Sequence, residues 1–102
     1  MDARKKRRLE DAGWRVGSTQ EFLGLSPAEA AYIELKIALS DKLKERRQRQ
    51  QVTQQKLAQL LGSSQSRVAK MEAGDPTVSL DLLMRGLFAL GATRRDVAKA
   101  IA

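Results

Sequence analysis

The sequence predicts an all-α fold in one small domain, and three observations carry that reading. From residue 26 onward apolar side chains recur at three-to-four spacing, the period of an amphipathic helix, and no stretch alternates apolar and polar residues like a strand. Each apolar run is preceded by a Ser or Thr placed to cap it, and most are closed by a Gly. A chain of 102 residues is long enough to bury one core and too short for two domains.

Residues 1–25 read as a basic tail and an apolar extension. Arg4, Lys5, Lys6, Arg7 and Arg8 form a run with little apolar around it, the composition of a solvated tail or of an arm that touches phosphate. Trp14, Val16, Phe22, Leu23 and Leu25 follow, broken by Gly13, Gly17 and Gly24, so loop with at most a short helical turn is expected. Residues 26–102 hold the helices. Ser26-Pro27-Ala28-Glu29 has the capping-box order, with Ser at the cap, Pro at the first helical position and Glu at the third. Ala31, Leu35, Ala38, Leu39 and Leu43 continue as one stripe to about Gln50, a helix on the order of 35 Å long with a break or kink conceivable near Ser40.

Shorter units come next. Thr53 caps a helix with Leu57, Ala58, Leu60 and Leu61 on its apolar face, Val52 placed to staple against Leu57, and Gly62 as its stop. Ser64 caps a helix over 65–73 that stops at Gly74, ahead of Asp75-Pro76. Ser79 caps a helix with Leu80, Leu83, Met84 and Leu87 that ends near Gly91, and Thr93 caps a last one with Val97, Ala100 and Ile101. Leu82, Phe88, Leu90 and Ile101 exceed what one stripe would bury, which points to a two-fold contact and a homodimer.

Composition narrows the chemistry. With no Cys and no His, thiol nucleophiles, histidine bases, disulfide scaffolds and zinc fingers are excluded; the chain is read as not an enzyme, with no catalytic residue, no metal, no cofactor and no small-molecule ligand. Nineteen Lys and Arg against twelve Asp and Glu leave +7, which favours a polyanionic partner. The basic run lacks an apolar companion face, so a membrane is not expected as partner, and no signal-like stretch follows it; a cytoplasmic location is the expectation.

Two short helices joined by a tight turn over 53–74 suggest a helix-turn-helix, with 65–73 as the recognition helix. At about 100° per residue, Gln65, Ser66, Ala69, Lys70 and Ala73 share an arc of roughly 140°, with Val68 and Met71 opposite. The arc is small or polar, narrow enough for a major groove. Gln65 can pair bidentately with adenine, the Ser66 hydroxyl both gives and accepts, and Lys70 reaches a guanine acceptor or a phosphate. Arg67 at the edge of the arc, Ser64 at the cap and Gln54 on the first turn of the preceding helix are assigned to phosphates of double-stranded DNA.

The run Thr53-Gln54 through Leu57-Ala58, then Leu61-Gly62-Ser63-Ser64-Gln65-Ser66-Arg67-Val68 and Met71-Glu72-Ala73-Gly74, resembles the Cro and cI, or XRE, family. The resemblance extends over about residues 35 to 92. It implies a compact lambda-repressor-like five-helix domain that binds an operator as a dimer. It also implies a structural ion pair between an Arg near the end of the first helix and a Glu near the end of the recognition helix, here Arg47 and Glu72. Trp14-Arg15-Val16-Gly17-Ser18 and Phe22-Leu23-Gly24-Leu25-Ser26, with the long helix that follows, resemble HigA-like antitoxins, which repress their own operon and neutralise a small RNase toxin. In that reading Trp14, Val16, Phe22, Leu23 and Leu25 are the candidate toxin-binding groups; otherwise they pack over the long helix as core. Two alternatives stand beside it: a stand-alone or phage-type repressor with no toxin, and a protein-interaction adaptor with a degenerate helix-turn-helix. The polar groups on the outer arc argue against the last.

Overall fold

The structure, a computed structural model, describes residues 24–102. Residues 1–23 lie outside the described residues, and with them the Arg4 to Arg8 run, Trp14, Val16, Phe22 and Leu23. The described chain is a five-helix all-α domain: α1 (Pro27–Arg49), α2 (Gln54–Leu61), α3 (Gln65–Ala73), α4 (Leu80–Ala89) and α5 (Arg94–Ile101). Among the described residues no helix is long and apolar enough to cross a membrane, and no cluster of three or more Asp, Glu, His or Cys is placed to hold a metal.

Each helix begins on a hydroxyl. Ser26, Thr53, Ser64, Ser79 and Thr93 sit in extended backbone, and each side-chain oxygen accepts from an N–H of the first turn. Two of these caps are reciprocal. The Glu29 carboxylate accepts from the Ser26 N–H at 3.3 Å, and Asp96 accepts from the Thr93 N–H at 2.8 Å, so orphan donors are satisfied from both sides. α1 runs unbroken through Ser40, whose hydroxyl donates to the Lys36 carbonyl one turn back at 2.9 Å.

The core is shared by all five helices. Leu39 and Leu43 of α1, Leu57 and Ala58 of α2, Val68 and Met71 of α3, Leu83 and Leu87 of α4 and Val97 of α5 are buried together. α1 is the spine and touches α3, α4 and α5, while α2 packs on α3 and α4. Three expectations change here, and the first is Leu60, placed on the apolar face of α2 but 52 % exposed. Ala31, expected in the α1 stripe, is exposed, and Ile37 is buried at 2 % exposure in its place. Leu90, expected as a surplus apolar group for a dimer contact, caps the C-terminus of α4 and is buried in the core, because α4 ends there and the chain turns inward to Ala92. Phe88 and Ile101 remain exposed, and Leu82 is partly buried against the core.

At Gly86 α4 lies close against its neighbours. A Cβ there would stand 3.1 Å from Leu43 Cδ1 and 3.1 Å from Met71 Cε, both side chains fully buried. Gly86→Val is therefore expected to destabilise by about 1–3 kcal/mol through overpacking, despite losing a helix-interior glycine. Urea unfolding, read as a lower midpoint with unchanged slope, checks it.

Asp96 also ties α5 to the end of α1, its Oδ2 accepting from Arg46 Nη2 at 3.0 Å. The Thr93 backbone N–H and hydroxyl, then the Arg46 and Lys99 charges, hold the Asp96 carboxyl below its ordinary value of 3.8. Asp75 is lowered likewise by the hydroxyl and N–H of Thr77. A carboxylate whose folded pKa is depressed contributes its full stabilisation above the unfolded value and loses it as pH falls through the folded one. The melting temperature should therefore fall as the pH drops below about 4, and the Asp96→Asn chain should show a shallower fall over the same window.

Candidate nucleic-acid interface

The geometry of α3 follows from how few of its residues are used for packing. Val68, Met71 and Glu72 are buried, and they form one wedge of the helix. Gln65, Ser66, Arg67, Ala69, Lys70 and Ala73 are all exposed. The outer face therefore carries an amide, a hydroxyl and an ammonium interleaved with two alanines, and the small residues leave the helix backbone open to close approach. Such a face offers both donors and acceptors, the groups that can read base edges in a major groove.

The turn that sets α3 against α2 depends on Gly62, which holds φ +64, the left-handed region that disfavours side chains. The Ser63 N–H then donates to the Ala58 carbonyl at 2.8 Å, closing α2. Ser64 Oγ accepts from the Arg67 N–H at 3.1 Å, so its acceptor serves the cap while its O–H is still able to donate outward. Arg67 is exposed one turn into the helix, on the same end as Ser64.

The orientation of α3 is fixed from inside by one buried carboxylate. Glu72, 3 % exposed, accepts from Arg47 Nη2 on Oε1 at 2.9 Å and from Arg47 Nε on Oε2, the fork geometry of a bidentate pair. Arg47 Nη1 donates to the Val52 carbonyl at 2.8 Å, so the same guanidinium also holds the chain entering α2. Its bond to Glu72 raises the Arg47 pKa further above the ordinary arginine value. Gln54 completes the set, its Nε2 donating to Glu72 Oε1 at 3.1 Å. α1, α2 and α3 are thus pinned at one point. Gln54, expected outward on a phosphate, turns its amide N–H₂ inward to Glu72 instead.

The α3–α4 loop adds a polar rim. Gly74 holds φ +75 to end α3, Asp75 Oδ1 accepts from the Thr77 N–H at 2.8 Å and from its hydroxyl at 2.6 Å, and Lys36 of α1 donates to the Pro76 carbonyl at 3.1 Å. Sequence reasoning misses the inward role of Gln54 and the anchoring by Lys36. Neither is marked in the sequence, because each bond joins residues far apart in the chain, Gln54 to Glu72 and Lys36 to Pro76.

Compared with known families, residues 38–101 match the family described as helix-turn-helix domain. None of the curated proteins or solved structures compared with the chain matches it significantly.

Proposed function

The chain belongs to the helix-turn-helix domain family, and from that premise we propose that it is a non-enzymatic, sequence-specific DNA-binding regulator of transcription. The observation that carries this reading is the exposed face of α3, which keeps Gln65, Ser66 and Lys70 outward while every apolar residue except alanine is turned in. Gln65, Ser66 and Lys70 read base edges; Arg67, the Ser64 hydroxyl and the first turn of α2 at Gln54 hold phosphates. The protein binds as a homodimer on two half-sites, and exposed Phe88 and Ile101 are the groups on which the two-fold contact rests.

The resemblance of the N-terminal extension to HigA-like antitoxins supports a further role, autorepression of an operon that encodes a small RNase toxin bound by this protein. Leu25, together with Trp14, Val16, Phe22 and Leu23, supplies the toxin-binding groups in that reading. The test is a footprint on the upstream region of the protein's own gene. A protected pair of half-sites whose occupancy weakens steeply with salt is expected, because phosphate neutralisation releases counterions. Addition of the neighbouring gene's product should alter that footprint if it is the toxin. Equal binding to unrelated DNA at every salt concentration would overturn the regulator reading.

A further inference from the structure

α3 carries two exposed cations, Arg67 and Lys70, but a denser basic surface lies elsewhere. Lys42, Arg46 and Arg49 of α1 and Lys99 of α5 line a groove between these two helices that encloses about 260 Å³, with Leu87 and Val97 as part of an aliphatic floor. Two of the four cations are answered within it: Lys42 stands 3.5 Å from Glu45, and Arg46 donates to Asp96 at 3.0 Å. Arg49 and Lys99 are not. Both are exposed, and neither side chain makes a hydrogen bond or ion pair among the described residues. The groove therefore holds a surplus of two positive charges, four cations against Glu45 and Asp96.

This surface faces away from the outer face of α3. Arg47, which reaches Glu72 of α3, and Lys36, which reaches the α3–α4 loop, lie on one side of α1, within about 20° of each other at 100° per residue. Lys42, Glu45, Arg46 and Arg49 share an arc of about 100° centred roughly 150° from Arg47. A duplex laid on the outer face of α3 is separated from the groove by α3 and α1 themselves, so contact with that duplex does not account for the charge.

We propose that the α1–α5 groove docks an acidic segment of a partner protein, its carboxylates meeting Arg49 and Lys99 while an aliphatic side chain enters over Leu87 and Val97. Size, chemistry and symmetry select that occupant. The space is smaller than the roughly 300–1,000 Å³ of pockets that take a whole small molecule, and suits inserted side chains. A nucleic-acid backbone supplies anions but no aliphatic group for the floor. A second copy is opposed by charge, because a two-fold contact centred here would set one basic groove against another. Phe88 and Ile101, the groups assigned to the homodimer contact, lie outside the lining. The inference is independent of what α3 reads, and a partner seated here leaves the outer face of α3 open.

The probe is a fluorescein-labelled peptide of repeated Glu-Leu-Asp-Glu units, titrated with the full chain and read by fluorescence anisotropy. It should bind saturably at low salt and be released as salt rises, and the same peptide with Lys in place of its acids should not bind. Arg49→Ala with Lys99→Ala should weaken binding by about 3- to 10-fold. Lys44→Ala with Arg85→Ala removes the same charge from exposed positions outside the groove and should leave binding within about twofold. Circular dichroism checks that both double variants keep their helix content. An unlabelled peptide with Ser in place of Leu should compete severalfold more weakly than its parent. Equal losses in the two double variants would overturn the proposal, because the peptide would then answer net charge rather than a site. So would a lack of saturation at low salt, or a Ser-substituted competitor as strong as its parent. Displacement of the peptide by a random-sequence duplex, itself weakened more by the Arg49 and Lys99 substitutions than by the other pair, would make the groove a nucleic-acid surface and overturn it as well.

Discussion

Arg47→Ala is expected to lower the stability of the domain by about 3–5 kcal/mol, because it removes the guanidinium that forks onto the buried Glu72 carboxylate. The side chains of this pair are 12 % and 3 % exposed, so water cannot replace the lost partner as it does for surface ion pairs worth about 0–1 kcal/mol. Gln54 still donates to Glu72, while the Val52 carbonyl also loses its guanidinium donor. Against a total stability of about 5–15 kcal/mol, such a loss takes a large share. The melting temperature should fall by on the order of 20 °C, at the roughly 4–8 °C per kcal/mol typical of a domain this size. The double variant Arg47→Met with Glu72→Leu separates pairing from packing. Removing both charges removes the desolvation cost along with the attraction, so most of the lost stability should return. A single-variant loss below about 1 kcal/mol would show that the pair behaves as a surface bridge and does not pin α3.

Local chemistry explains why the helix starts are legible in the residues themselves. Ser26, Thr53, Ser64, Ser79 and Thr93 each act on donors within three residues, so both partners of the bond lie in one short stretch of chain. Gly62 and Gly74 are legible for the same reason, because a left-handed residue is a local demand. The end of α1 is harder to read: the left-handed residue there is Gln51, at φ +59, and its neighbourhood rather than its residue type selects that conformation. Longer-range packing is harder still where one stripe must choose between neighbours. Ala31 fits the period of Leu35, Ala38 and Leu39, yet the core extends along this stripe only to Leu35, and Ala31 is left exposed. Leu90 looks surplus because its helix is already supplied with apolar residues, and only the inward turn to Ala92 gives it a place in the core. Gln54 is the same lesson at the interface. Its amide is chemically suited to phosphate, and a buried carboxylate contributed by another helix claims its donor first.

The second large effect concerns discrimination between DNA sequences. Gln65→Ala combined with Ser66→Ala is expected to cut the ratio of specific to nonspecific affinity by about 30-fold or more, since each good base-edge contact is worth about 1–3 kcal/mol of discrimination and two are removed. The fold should be indifferent: both side chains are exposed, and the Ser64 cap that starts α3 uses neither of them. Arg67→Ala makes the contrast that gives the result its meaning. A phosphate contact carries no sequence information, so its loss should weaken binding to all DNA alike and make the slope of log affinity against log salt shallower by about one. Titrations on the footprinted operator and on a scrambled duplex, each at several salt concentrations, measure both quantities together. If the double alanine variant instead lost affinity equally on both duplexes with a shallower salt slope, Gln65 and Ser66 would be phosphate contacts, and the bases would be read from elsewhere on α3. Lys70, which stands on the same arc and reaches either a base or a phosphate, is then the residue whose own alanine variant decides where the reading face ends.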